Sequence, residues 1–315
     1  MSHPTPPAVL PVPSKLSGRL HVVAAALLWS TCGLFVKAGF FDGLETGWPK
    51  ELQGGLLAFW RALFAGLVLV PLVRRPRWSI YLVPLCAVFA LMCVTYLTAM
   101  VRTTAANAIW LQATSPWWVL LISVAVLHER IARRELIPLC FAGLGVGLIL
   151  VFEFVIQPRS VMGVACGLAS GLFYGCVAIF MRLLRGHGAA WLVALPHLVT
   201  ALAILPWVIA TGIWPTPLQL VVLAAFGILQ MGLPYALFIR ALRAITAQEA
   251  VAIALIEPML NPFWVWLLGM ETPRWWSVAG SVLILAGLVF RYVVWELAYG
   301  RATGGFKAAG TQRVP

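Results

Sequence analysis

"TTAANAIWLQATSPWWVLLISVAVLHER" (residues 103–130) lies without a gap over "ITAQEAVAIALIEPMLNPFWVWLLGMET" (residues 245–272). Thr104 meets Thr246, Ala108 meets Ala250, Pro116 meets Pro258 and Glu129 meets Glu271. The register continues upstream, where Ala25, Leu28 and Cys32 lie over Ala169, Leu172 and Cys176, and Pro71 over Pro206. Downstream, Gly147 lies over Gly287. The chain therefore carries one pattern twice, and the number of membrane crossings in each copy decides the architecture.

That a membrane is crossed follows from composition. The 315 residues are 62% hydrophobic and only 10% charged, with a mean hydropathy of +0.95, outside the range of soluble domains. A spanning helix needs about 20 mostly apolar residues. Ten such runs are present: 19–38, 56–73, 79–101, 105–127, 136–157, 161–183, 189–211, 217–239, 246–269 and 276–297. With the N-terminus inside, the inner segments hold sixteen Lys and Arg residues, whereas the outer loops hold four, Lys50, Arg102, Arg159 and Arg274. This is the asymmetry that the positive-inside rule requires, and an odd number of spans would scramble it. Both termini are thus expected in the cytoplasm, in a multi-pass protein of the plasma (inner) membrane. The net charge of +12 belongs to these orientation clusters, so no nucleic-acid partner is expected. The lipid bilayer and a small-molecule substrate are the expected partners.

Five spans per copy is odd, so the second copy must enter the membrane upside down. The expected fold is an all-α integral membrane protein of ten transmembrane helices arranged as two inverted five-helix repeats. Its divisions are a disordered Pro-rich tail over 1–18, a first repeat over 19–157, a second over 158–297 and a C-terminal tail over 298–315. Inverted repeats that rock about a shared midplane site are a transporter architecture.

Proline marks that site. Lacking an amide hydrogen, Pro116 frees the carbonyl of Gln112, Pro258 that of Ala254 and Pro262 that of Pro258. Carbonyls unpaired in lipid must face a cavity, so the fourth and ninth spans are expected to flank one, with these three prolines as hinges. Glu257, about the twelfth residue of the ninth span, then lies near mid-bilayer, where an ionised carboxylate costs about 3 kcal/mol on insertion scales. It must face the bundle interior. Three roles stay open for it: carrying a proton, holding a substrate amine, or donating to a freed carbonyl and securing the kink. At helical spacing Asn261 and Trp264 share its face. In the fourth span Gln112 and Ser115 share a face, and Ser115, the repeat mate of Glu257, cannot titrate. Trp29 and Ser30, Tyr96, Tyr174, and Gln230 and Tyr235 add aromatic and hydrogen-bonding groups at similar depth. Together these side chains suit a small zwitterionic or partly aromatic solute, and aromatic faces also accept organic cations.

Other polar residues have competing explanations. Arg61, about six residues into the second span, is read first as an anchor that snorkels outward, and second as a carboxylate partner or anion site. A lone His197 is more simply a hydrogen-bonded packing residue than a titrating one. Glu129 and Glu271, at the ends of the fourth and ninth spans, are gating candidates. The simpler reading of Glu271 is helix-end electrostatics, with Thr272 and Pro273 opening the tenth helix. Gly163, Gly167, Gly171 and Gly175 recur every four residues. Packing within one chain explains the stripe more simply than a homodimer does. Trp48, Trp78, Trp191, Trp214, Trp275, Trp276 and Trp295 are expected as interfacial anchors.

Ten spans in two halves, "LLWSTCGLFVK" in the first, Arg61 early in the second, and a proline followed by a helix-ending Glu in the fourth and ninth resemble the EamA family of the drug/metabolite transporter superfamily. The resemblance covers about residues 19–297. It implies a permease that exports amino acids or other small metabolites. It also implies that Glu257 belongs to the family's common machinery more than to one substrate.

The expected function is accordingly a secondary exporter of small polar metabolites, amino acids or analogues, working by alternating access, with proton coupling and facilitated diffusion both open. Efflux of organic cations by the same fold is the alternative. An intramembrane hydrolase, with Ser170 and His197 as its pair, is the reading from another class. No HExxH, no Walker motif and no rhomboid spacing supports that enzyme, and no second buried carboxylate is expected to complete a dyad. Neither a cofactor nor a metal is expected.

Overall fold

The computed structural model describes residues 14–42, 47–127, 133–156 and 160–290, all helices and their connections. Ser14 opens the first helix, its side chain accepting from Ser17 N. Helix α1 therefore starts at Lys15 and runs to Trp29, and α2 follows over Cys32–Lys37. The expected first span is thus two helices. Their break has a local cause: Ser30 Oγ donates to Leu27 O at 2.7 Å and Thr31 Oγ1 to Leu28 O at 2.6 Å, the back-bonding that competes with the helical ladder.

Helix α3 (Lys50–Leu69) begins six residues before the expected second span and ends in a 3₁₀ turn, Val70–Leu72. Helix α4 covers Leu82–Arg102. The fourth span is α5 (Ala105–Gln112) and α6 (Ser115–Leu127), and α7 covers Arg133–Ile156. The second half opens with α8 (Val161–Leu183) and α9 (Ala189–Thr211), at the bounds expected for the sixth and seventh spans. The eighth span is α10 (Pro217–Gly227), a π-helical turn over Ile228–Gly232, and α11 (Leu233–Ala241). The ninth is α12 (Ala247–Ala254) and α13 (Ile256–Leu267), and α14 covers Trp275–Val289. Among the described residues seven stretches are long and apolar enough to cross a membrane, with shorter apolar helices over Cys140–Ile156 and Trp275–Val289.

The two halves are built alike where they align best. Thr104 and Thr246, at φ −72° and −71°, each cap a short helix by accepting from the amide three residues on. Each short helix then breaks just before its proline, so that Pro116 and Pro258 sit in the first turn of the helix that follows, where no amide is needed. Pro262, expected as a third hinge, lies inside an unbroken α13. Packing maps onto itself when the halves are exchanged: α3 packs on α9 and α7 on α14, while α4 packs on α8 as α11 packs on α1. The glycine stripe serves these contacts. Gly163 faces the Arg102–Thr103 backbone, Gly167 faces Leu111, Gly171 faces Thr114 and Gly175 faces Trp118. The end of α4 and the α5–α6 pair of the same chain therefore occupy the stripe. Trp48 and Trp276 are buried, unlike the exposed Trp78, Trp214 and Trp275; Phe41 packs tilted on Trp48, and Phe152 stacks on Trp276. Trp295 lies outside the described residues.

Candidate functional site: a cavity at the two helix breaks

The breaks of the fourth and ninth spans open onto one cavity of about 440 Å³. Repeat mates meet there: Ser115 and Pro116 line it from α6, Glu257 and Pro258 from α13. Gln112, Tyr96 and Tyr174 line it from the neighbouring helices, and Trp29, Gln230 and Tyr235 close the opposite wall. Trp29 packs edge-on against Tyr235 at 5.2 Å and tilted against Phe238 at 5.5 Å, which makes this wall aromatic. Phe238 and apolar residues such as Met92, Val119 and Val251 complete the lining. Nothing in a uniformly apolar sequence singles these out.

Arg61 also lines the cavity, and this overturns its expected role as an anchor. Because α3 starts at Lys50, Arg61 is its twelfth residue of twenty and only 2% exposed, too deep to snorkel. Its guanidinium lies over the Tyr96 and Phe226 rings, at 5.8 and 5.5 Å, and donates a long bond of 3.5 Å to Gln230 Oε1. The π-helical turn brings Gln230 there, and its Nε2 donates to Trp29 O at 3.1 Å, a carbonyl that the break at Ser30 leaves without its helical partner. Among the described residues no carboxylate approaches Arg61 within ion-pair distance; Glu257 shares the cavity but not a salt bridge. Glu257 makes no hydrogen bond to another described residue. The kink is thus not secured by its side chain.

Three expected cavity residues stand elsewhere. Trp264 Nε1 donates to Ser30 Oγ at 3.0 Å, so each satisfies the other. Asn261 is fully buried against Gly33, where an added Cβ would come within 2.6 Å of its Oδ1. These residues share a face with Glu257, but Asn261 and Trp264 lie about 6 and 10 Å further along the helix, at 1.5 Å per residue, where α2 fills the space. His197 is a packing residue behind the aromatic wall: its Nδ1–H donates to Val193 O at 2.8 Å, with Phe89 and Tyr235 rings at 4.7 and 5.6 Å.

One end of the bundle is closed by a knot of charge. Lys37 Nζ lies 2.6 Å from Glu271 Oε1 and donates to Thr103 O at 2.7 Å. Glu271 Oε2 accepts from Ala105 N at 2.9 Å. Glu271 therefore caps α5, not the tenth helix as expected. That helix starts later, at Trp275, with Arg274 extended as its cap and residues 271–274 outside the helix. Helix α2 gives the cavity no lining residue, so the cavity ends short of this knot. Phe238, Val251 and Val119 extend it toward the other end, where Arg19 Nε meets Glu249 at 2.6 Å across a far more exposed pair. Glu129, the repeat mate of Glu271, lies outside the described residues.

A second buried carboxylate, absent from the expectation, sits near the Lys37 end. Glu153 of α7 is 2% exposed. It accepts from Asn107 Nδ2 at 2.7 Å, from Trp276 Nε1 at 3.3 Å and from Ser160 Oγ. The only sequence signal was an acidic residue in "LVFEFVI", which reads like a span end. Outside the bilayer, Asp42 is held by Lys50 Nζ at 2.6 Å and Gln53 Nε2 at 3.1 Å. Burial opposes its ionisation, yet these two bonds and the Lys50 charge outweigh it and hold the carboxyl below its ordinary value.

Comparison with known proteins agrees with this architecture. Residues 16–151 and 161–293 each match the model of the EamA-like transporter family, one match per half. The chain is 25% identical over 281 residues to an uncharacterized transporter of Archaeoglobus fulgidus, covering 87% of this chain and 96% of that one. It is 28% identical over 283 residues to the pseudopaline exporter CntI of Pseudomonas aeruginosa, covering 87% and 95%. A solved crystal structure superposes with a TM-score of 0.60 at 20% identity, over 89% of this chain and 99% of the other.

Proposed function

Since the chain belongs to the EamA-like transporter family, and is thus a membrane transporter and not an enzyme, we propose that it exports small polar metabolites, amino acids or their analogues. It works in the plasma membrane by alternating access, with both termini in the cytoplasm, so that the Lys37 end faces out. One observation carries this reading: Glu257, with no hydrogen bond or ion pair among the described residues, stands in a cavity formed where two repeat-related helices break. A carboxylate that was only structural would be paired, since an unsatisfied one in low dielectric is costly. Export, as opposed to uptake, is supported by the name of the Pseudomonas relative.

Alternating access needs one end shut while the other is open. The Lys37–Glu271 knot and the cavity's extension toward the Arg19 end fit a carrier open to the cytoplasm. The aromatic wall of Trp29, Tyr235 and Phe238 beside Glu257 favours the second reading, efflux of organic cations. Purified protein in liposomes loaded with amino acids, amines or organic cations tests both. Release of unchanged solute supports a carrier, and the class released decides between them. Chemical conversion of every solute tried, without flux, would sink the transporter reading.

A further inference from the structure

Arg61 is a buried charge that no described carboxylate meets at ion-pair distance. At 2% exposure, twelve residues into α3, it is met by two ring faces, one long bond to a neutral amide and the Cys32 and Cys93 thiols, with the Glu257 carboxyl in the same cavity. A guanidinium has five N–H donors and a full positive charge, and acceptors as weak as thiols, ring faces and one long amide bond answer little of that in a low dielectric. Buried Glu153 shows how this fold satisfies a structural carboxyl, with donors from three residues. Arg61 has no such settlement, and it lines the cavity.

We propose that Arg61 and Gln230 form a carboxylate subsite, so that the exporter's cargo carries a carboxylate as well as an amine. A guanidinium fork meets a carboxylate in two parallel bonds, a geometry that an ammonium cannot offer. Gln230 is pre-positioned by the π-helical turn and by its bond to Trp29 O, so the oxyanion finds its partner already ordered. A phosphate fits less well: its charge of about −1.5 to −2 exceeds the single positive charge available. A cargo that is only cationic meets Arg61 with like charge. The cavity's own Arg61 and Glu257, set apart and not joined to one another among the described residues, offer one group for each end of a zwitterion. At about 440 Å³ it is at the small end of ligand pockets, which run to about 1,000 Å³, and so suits a metabolite.

The inference rests on the transporter reading, and the experiment separates the two. Thermal shift and proteoliposome flux would be measured with matched sets: L-phenylalanine, phenylalaninamide and 3-phenylpropanoate, and L-leucine, leucinamide and 4-methylpentanoate. The wild-type chain should be stabilised by at least one zwitterion and bind the corresponding amide about ten- to a hundredfold more weakly, the range of a charge-assisted bond. Arg61→Gln should erase that preference, while Arg61→Lys, which keeps the charge but not the fork, should restore it in part. If Arg61→Gln does not fold, Gln230→Leu should narrow the preference in a folded protein. Amide and zwitterion binding equally to the wild-type chain, or no member of either set binding at millimolar concentration, overturns the subsite. Flux of the amides at the rate of the amino acids overturns it too while leaving the transporter standing.

Discussion

The Lys37 end of the bundle and its central cavity handle charge in opposite ways. At the Lys37 end Lys37, Glu271 and Glu153 have all found partners, and even the helix-opening amide of Ala105 is met by a carboxylate. In the cavity Arg61 and Glu257 share one space, yet no ion pair joins them and Glu257 has no hydrogen-bond partner among the described residues. Both regions are largely out of water, so desolvation alone does not distinguish them. Charges that hold helices together are satisfied by the protein, and the proposed function assigns the ones left open to the cargo.

Neutralising the cavity carboxylate should have the largest effect. Glu257→Gln is expected to insert and fold as the wild type does but to lose pH-dependent flux; liposome efflux measured across a pH series checks this, and an unchanged profile would refute a coupling role. Next, opening the knot should expose the cavity from the far side. Lys37→Gln or Glu271→Gln, in a chain whose sole cysteine is the cavity-lining Cys93, should raise its labelling by an impermeant maleimide from the Lys37 side about tenfold, given roughly 1.5–3 kcal/mol for a charge-assisted bond. No change would mean that the knot is not the closure.

Glu153 offers the converse test. Asn107→Ala takes away one of its donors and should lower stability by about 1–3 kcal/mol, the cost of a buried group left short of a bond. The melting temperature in detergent reads this. The pH profile of flux should stay put, and if it moved, Glu153 would belong with Glu257. The smallest effect is expected outside the bilayer. Asp42 has a depressed pKa, so its contribution is present above the ordinary carboxylate range and fades as pH falls through it. With its side chain 38% exposed, Asp42→Asn should cost less than about 1 kcal/mol. Any difference in melting temperature from the wild type should vanish in acid.

Much of the cavity was legible because both of its markers are local. A proline removes an amide wherever it stands, so Pro116 and Pro258 announce their breaks in sequence. The repeat then pairs them, bringing Ser115 and Glu257 to one place. Pro262 looked the same by that rule but left α13 whole. The break at Ser30 and Thr31 escaped notice because hydroxyl back-bonding is one of several conformations those residues allow. Arg61 was misjudged for a simpler reason. The polar start of α3, "KELQGG", hid its first turns, and six residues of helix amount to about 9 Å of depth.

The sequence by itself determined the membrane, the order of apolar helices and the doubling of the pattern, with its family. Hydropathy, spacing and repetition are properties of a chain read end to end. Only the tertiary structure decided who meets whom: Glu271 with Lys37 and Ala105, Glu153 with Asn107 and Trp276, and Arg61 with Gln230. These partners lie 46 to 234 residues apart. A helix presents a polar group at every turn, and only the neighbour that packs against that turn determines whether its charge is answered or left open.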